Sequence, residues 1–175
     1  CADRAQLERL DEFWALVSSH RGWIEPPIPD PIRAAFAELS STLTTLVGRP
    51  GFFEPRLPPP WLLPPKFAMV TSYYDTSPLA ETLRAHVDFD RIARGTSRLT
   101  VGAVNVESGR MRYFDSRDMA LDETHVMASG ALPPAFPAVR IDGDPYWDGG
   151  IYSNTPVEVV LDDRPRRDTL IFAAN

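Results

Sequence analysis

The sequence predicts a single α/β domain. Its 175 residues are enough for one domain with a sizeable core, and a hydrophobic content of 43% is typical of globular proteins. Apolar residues at helical spacing indicate amphipathic helices over residues 3–18 and 30–47. A short apolar run at residues 169–173, bounded by polar residues, is typical of a buried parallel strand. Helices together with a buried strand of this kind indicate the α/β class.

Charge and cysteine content narrow the classes of function. The formal net charge is -6 at pH 7, which argues against a nucleic-acid partner because phosphate binding needs a basic surface. The single cysteine, Cys1, excludes an internal disulfide and a cysteine-based metal cluster, and it fits an intracellular protein. No run of about 18 apolar residues occurs, so no membrane span is predicted. We therefore expect a cytoplasmic protein.

Three helices are predicted in the first half of the chain. The first has an apolar stripe that we expect to face the core, formed by Leu7, Leu10, Phe13, Trp14 and Val17. The second, over residues 30–47, ends at Gly48, a residue type that commonly terminates helices. The third begins at Ser77, where proline follows as the first-turn residue, and extends to about residue 89.

A proline-rich loop occupies residues 49–66. Seven of these eighteen residues are proline, which disfavours a helix or a central strand and favours polyproline II. Three interpretations stay open. The loop packs its aromatic residues back onto the domain, or it forms a lid or acyl-chain entry surface, or it is a polyproline ligand for another protein.

Two hairpins are predicted in the second half. Residues 99–106 and 111–114 form strands around a turn, and the first of them is expected to be a central strand because both its faces are apolar. Residues 140–147 form a tight hairpin around Asp142 and Gly143. Asp148 then leaves the end of a strand and enters a loop, where α/β proteins commonly present reactive side chains.

Six ordered elements occupy the stretch from residue 128 to 156. They are Ala128-Ser129-Gly130-Ala131-Leu132-Pro133, Phe136-Pro137, Ile141-Asp142-Gly143, Asp148-Gly149-Gly150, Asn154 and Pro156. In this order and spacing they resemble the second half of the catalytic domain of patatin-like phospholipases, and residues 73–92 resemble a bacterial subgroup. The resemblance implies a three-layer fold, with a mostly parallel central sheet and helices on both faces.

The resemblance also implies a function, which is hydrolysis of acyl esters by a serine–aspartate dyad. Asp148 is then the general base, supported by Gly149, Gly150, Asn154 and Pro156. The substrate pocket is expected to include Ala128, Ser129, Gly130, Leu132, Pro133 and Phe136. The resemblance implies neither a metal nor a cofactor. It does imply a lipid or other acyl-ester substrate and contact with a lipid surface. It leaves the oligomeric state open.

The nucleophile of such a dyad is not found in this sequence. No Gly-x-Ser-x-Gly elbow and no glycine-rich oxyanion loop occur. We therefore interpret residues 1–175 as one incomplete domain. Its nucleophile segment is expected to precede Cys1 and its C-terminus to be truncated, so the fragment alone is expected to be inactive.

The alternatives to hydrolysis are a calcium site and a non-catalytic scaffold. Calcium binding by Asp142, Asp144 and Asp148 is disfavoured, because a calcium loop needs glycine at its sixth position and glutamate at its twelfth. Tyrosine, tryptophan and serine stand at the fifth, sixth and twelfth positions here. A non-catalytic scaffold that binds partners through the proline-rich loop stays open as the alternative. His86 and His125 are interpreted as structural.

Overall fold

The computed structural model describes residues 4–17, 44–64, 72–95, 97–153, 155–162, 164 and 168–173. The helices are α1 (Arg4–Val17), α2 (Ser77–His86), α3 (Phe89–Ala93), α4 (Glu123–Ser129) and α5 (Glu158–Leu161). The strands are β1 (Glu54–Pro55), β2 (Tyr74–Asp75), β3 (Thr100–Asn105), β4 (Met111–Asp115), β5 (Val139–Ile141) and β6 (Asp144–Asp148). Two 3₁₀ turns lie at Pro60–Leu62 and Gly149–Ile151.

The main sheet has four strands in the order β4-β3-β6-β5, and every neighbouring pair is antiparallel. The expected mostly parallel, three-layer sheet is therefore wrong for the described chain. The physical reason is local: β3 joins β4, and β5 joins β6, through turns too short for the crossover that a parallel pair requires. Both predicted hairpins are confirmed, and β3 is internal to the sheet as expected.

The β5–β6 turn shows why these strands meet as a hairpin. Asp142 has φ +55° and Gly143 has φ +93°, so both central residues are left-handed. Such a pair gives the primed turn whose twist matches that of two antiparallel strands. The Asp-Gly signal in the sequence thus predicts this turn correctly.

The core lies between one face of the sheet and α4. Its buried members are Ala103, Phe114, Leu121, Ala128, Ile141 and Tyr146. The Phe114 and Tyr146 rings meet edge to face, with centroids 5.3 Å apart. Because α4 covers this face, the segment that follows α4 is held close to the ends of β3 and β6.

The first predicted helix and the start of the third lie where expected, but the first is less buried than expected. The helix α1 forms as predicted, but Leu7, Leu10 and Trp14 are each more than half exposed, so the expected core-facing stripe is wrong for these three residues. Gly48 ends a helical turn at 44–47 with φ +85°, as predicted. The third helix is interrupted at residues 87–88, where the Asp88 side chain accepts the Arg91 N–H and so starts α3.

The segment at residues 168–173 corrects a further expectation. It forms no strand and all six residues are exposed, with Leu170 79% and Phe172 88% exposed. The predicted buried parallel strand is therefore wrong, because no described strand pairs with it. Most of the predicted helix at 30–47 lies outside the described residues. Among the helices that the structure does describe, none is long and apolar enough to cross a membrane.

The proline-rich loop has an exposed tip, residues 57–64, and a base before it that is anchored to the rest of the domain. At its base, Phe53 packs on Phe136 and on Tyr74, with ring centroids 5.5 and 4.6 Å apart. At its tip, Leu57 is 86% and Leu62 is 70% exposed. The loop thus combines aromatic packing onto the domain with an apolar surface that faces solvent.

Candidate active site

Asp148 is the last residue of β6 and the N-cap of the 3₁₀ turn Gly149–Ile151. It pairs across the ladder with Ala103, and its N–H donates to the Ala131 carbonyl at 3.0 Å. Alternation along β6 puts its side chain on the same face as Tyr146, which is the face that α4 covers. The segment 128–133 and the Asp148 loop are therefore joined directly.

One oxygen of the Asp148 carboxylate is held by the backbone. Oδ1 accepts the Gly150 N–H at 2.7 Å, and the residue is half-buried at the start of the 3₁₀ turn. A carboxylate has about four lone-pair sites, so this bond orients the group and leaves it capacity to accept a proton. In the part of the chain that the structure describes, no serine hydroxyl donates to it.

Gly149 is required by close packing. A Cβ at this position would lie 2.5 Å from the carbonyl oxygen of Gly102 in β3, and the obstructing atom is backbone. A 3₁₀ turn has negative φ, so space and not left-handed backbone is what demands glycine here. Gly102 was not singled out from the sequence, although a glycine inside a strand signals a close backbone approach.

The first three predicted pocket residues follow α4. Ala128 is fully buried in the core, and Ser129 is half-buried with its hydroxyl donating to the Val126 carbonyl at 2.8 Å. Gly130 is the exposed C-cap of α4, and a Cβ there would meet nothing within 4 Å. The open surface beside Asp148 on this segment is therefore at Gly130 rather than at Ala128.

The remaining predicted pocket residues lead to the proline-rich loop. Leu132 is 48% exposed, and Pro133 is half-buried. Phe136 is half-buried against Phe52 and Phe53, with ring centroids 6.0 and 5.5 Å away. Of the two other predicted support residues, Pro156 is half-buried, and Asn154 lies outside the described residues.

Tyr113 connects the sheet to the helix that follows the Asp148 loop. It pairs with Gly102, and its hydroxyl donates to Glu158 Oε1 of α5 at 2.9 Å. Burial raises the pKa of Tyr113, and the hydrogen bond and negative charge of Glu158 raise it further. The phenol therefore stays a donor at neutral pH and holds α5 against the strand.

His86 and His125 both have structural partners. His125 is buried in a capping box at the start of α4, where its Nδ1 lies 2.7 Å from Asp122 Oδ1. Burial alone would raise the pKa of Asp122, but hydrogen bonds from His125 and from the backbone lower it. His86 Nδ1 lies 2.9 Å from the Thr82 carbonyl, which can only accept, so this nitrogen carries the hydrogen.

A cleft of about 410 Å³ lies between α1, α2 and α3. His86, Phe13 and Arg9 are among its lining residues, and Asp148 is not. The three acidic residues weighed for calcium do not converge either: Asp142 is beside Arg112 at 3.8 Å, at the opposite end of β6 from Asp148. Within the described ranges, no group of three histidine, cysteine or acidic residues could hold a metal ion.

Comparison with known proteins gives one match. A sequence model of the patatin-like phospholipase family matches residues 7–161. No curated protein matches the chain, and no solved structure matches it. The match spans every described element from within α1 to α5 and includes the Asp148 loop.

Proposed function

The chain belongs to the patatin-like phospholipase family, and from this premise we propose that it is part of a serine lipid acyl hydrolase in which Asp148 is the general base. Family membership implies lipid acyl hydrolase activity. The assignment of Asp148 as the general base goes beyond family membership. One structural observation supports this assignment of Asp148. Asp148 stands at the end of a strand, with one carboxylate oxygen fixed by the Gly150 N–H and its own N–H tied to Ala131.

The proposed reaction uses a serine from a Gly-x-Ser-x-Gly elbow that lies outside these 175 residues. Asp148 takes the proton of the serine hydroxyl while the serine oxygen bonds to the ester carbonyl carbon. When the carbon–oxygen bond to the alcohol breaks, Asp148 returns that proton to the departing alcohol. Water then attacks the acyl-enzyme, Asp148 takes a proton from the water, and the serine regains a proton as the fatty acid leaves.

The residues around Asp148 are proposed to position it. Gly149 lets the turn pass close to β3, and Gly150 supplies the N–H that orients the carboxylate. Asn154 and Pro156 are proposed to hold the loop after the turn. For the acyl chain, we propose a pocket lined by Ala128, Ser129, Gly130, Leu132, Pro133 and Phe136, and the hydrogen bond from Asp148 to Ala131 supports this because it joins that segment to the base.

The test is Asp148→Asn in the protein that carries its upstream sequence. Asparagine keeps the size of the side chain and cannot take the serine proton, so hydrolysis of a short-chain p-nitrophenyl ester should fall by roughly 10³-fold or more. Asp144→Asn is the matched control, since Asp144 is exposed at the other end of the same strand. Near-normal turnover by Asp148→Asn, with an unchanged free energy of unfolding, would contradict the assignment of Asp148 as the base.

The alternative is a non-catalytic scaffold that binds partners through the proline-rich loop. The exposure of Leu57 and Leu62 at the loop tip is the observation that favours it. The same assay distinguishes the two functions. A protein with its upstream sequence that hydrolyses no ester, and is equally inert as wild type and as Asp148→Asn, would be a scaffold.

A further inference from the structure

The tip of the proline-rich loop presents two largely exposed leucine side chains. Leu57 is 86% exposed and Leu62 is 70% exposed. The tip, residues 57–64, reads LPPPWLLP and contains no charged residue. Moving such a segment out of water therefore desolvates no charge, which is the main obstacle to burying a surface loop in an apolar phase.

The tip is presented on a stiff backbone. Pro59 and Leu63, on either side of the 3₁₀ turn Pro60–Leu62, have φ and ψ of -57° and 145° and of -85° and 150°, close to polyproline II. Leu62 and Leu63 donate their N–H groups to the Pro59 and Pro60 carbonyls at 2.9 and 3.1 Å. Little conformational entropy is then lost when this tip enters another phase.

The base of the same loop is fixed to the body of the domain. Arg56 N–H donates to the Tyr73 carbonyl at 3.0 Å, and the Arg56 guanidinium donates to Ser72 and to the Tyr74 carbonyl. The short ladder between β1 and β2 adds its own pairing. The base of the loop is thus held against β2 by hydrogen bonds.

The strand β2 in turn is attached to the segment that carries the proposed acyl pocket. Tyr73 N–H donates to the Pro134 carbonyl at 3.2 Å, and Tyr74 N–H donates to the Ala135 carbonyl at 3.0 Å. Phe136 packs on Phe53 from the other side of this junction. The tip therefore has a fixed position relative to residues 131–136, and docking of the tip would orient the pocket as well.

We propose that residues 57–64 form an interfacial docking tip, which inserts Leu57 and Leu62 into the surface of a zwitterionic phospholipid layer and so delivers the proposed pocket to its substrate. The inference rests on the proposed function, because a phospholipid substrate resides in such a layer. Charge favours one kind of layer: the chain has a net charge of -6, which opposes binding to an anionic surface, and the tip itself carries no charge that would offset this repulsion. Attraction through an uncharged tip is also insensitive to salt.

The experiment measures binding to phosphatidylcholine vesicles with the Asp148→Asn protein, carrying its upstream sequence, so that no lipid is consumed. Leu57→Ser with Leu62→Ser should weaken vesicle partitioning by about tenfold or more, and raising the salt concentration should leave partitioning of the parent protein nearly unchanged. Leu170→Ser is the matched control, because Leu170 is 79% exposed and lies in a different segment.

Activity measurements separate this inference from the proposed function. With Asp148 intact, the tip variant should hydrolyse a soluble short-chain ester at the parent rate and phospholipid vesicles at a rate reduced by about tenfold or more. Equal vesicle binding by the tip variant, an equal loss in Leu170→Ser, or binding only to anionic vesicles would overturn the docking tip. So would sedimentation showing that the tip instead joins two copies of the chain. Vesicle binding by Asp148→Asn does not depend on hydrolysis, so failure of the base assignment would be seen separately.

Discussion

At the scale of single residues, the turn after β6 depends on contacts that leave no room for a side chain. Gly149 approaches the Gly102 carbonyl so closely that the two strands and the 3₁₀ turn pack as backbone against backbone. Asp148 immediately precedes Gly149, so the position of its carboxylate depends on where this turn lies. The Gly150 N–H then sets the orientation of the carboxylate.

Gly149→Ala tests this packing. The added methyl group would lie 2.5 Å from a backbone oxygen, so the turn must shift, and overpacking of this kind lowers the free energy of unfolding by about 1–3 kcal/mol. Ester hydrolysis should fall with it, because the shift moves Asp148. Urea unfolding measures the first effect and the short-chain ester assay the second.

Gly130→Ala is the control for that substitution. A Cβ at Gly130 meets nothing within 4 Å, and the residue is exposed, so the free energy of unfolding should change by less than about 0.5 kcal/mol. Equal destabilisation by the two substitutions would show that the contact with Gly102 does not constrain the turn.

At the scale of elements, turns and helix starts that depend on neighbouring residues are predicted correctly. The direction of the strands in the sheet is not. The Asp-Gly turn, the turn between β3 and β4, and the helix start at Ser77 all follow from a few neighbouring residues. The family resemblance predicts a mostly parallel sheet, whereas the two adjacent hairpins favour antiparallel pairing. Exposure of the α1 stripe could not be predicted either, because periodicity shows which residues share a face and not whether a neighbour covers it.

In the candidate site, too, local features could be predicted from the sequence and long-range contacts could not. The position of Asp148 at the end of a strand could be predicted from the hairpin before it. The contacts of this turn could not, because Asp148 bonds to Ala131 and Gly149 packs on Gly102, which are 17 and 47 positions away in the sequence. Such contacts depend on how α4 and β3 pack, which no local pattern specifies.

The capping box of α4 gives an element-scale prediction. Asp122 Oδ1 accepts the Thr124 and His125 N–H groups at 2.9 and 3.3 Å, so Asp122→Ala leaves these donors without their partner. We expect a loss of about 0.5–2 kcal/mol in the free energy of unfolding, and faster amide hydrogen exchange at Thr124 and His125. Asp118→Ala, at an exposed position before the helix, is the control and should change neither. Unchanged exchange at both amides in Asp122→Ala would rule out the cap.

At the scale of the whole molecule, one buried carboxylate joins several parts of the chain. Asp115 Oδ2 lies 2.6 Å from Arg98 Nε and accepts the Thr100 hydroxyl at 2.8 Å, while Oδ1 accepts the Arg117 N–H at 2.9 Å. These partners come from the segment before β3, from β3 itself and from the loop after β4. Burial alone would raise the pKa of Asp115, but the hydrogen bonds from Arg98, Arg117 and Thr100 lower it to about 2.

This lowered pKa predicts how stability depends on pH. Because the folded-state pKa of Asp115 lies below its ordinary value of 3.8, the unfolded chain binds the proton more readily than the folded chain. The contribution of Asp115, roughly 2 kcal/mol, is therefore fully present above about pH 4 and is lost as the pH falls toward 2. Asp75 and Asp122, whose pKa values are also lowered, act with the same sign. Urea unfolding between pH 7 and pH 2 should show a shallower acid loss in Asp115→Asn than in the parent protein, and the same loss in the exposed control Asp118→Asn. An identical slope in Asp115→Asn would mean that the ion pair with Arg98 does not stabilise the fold.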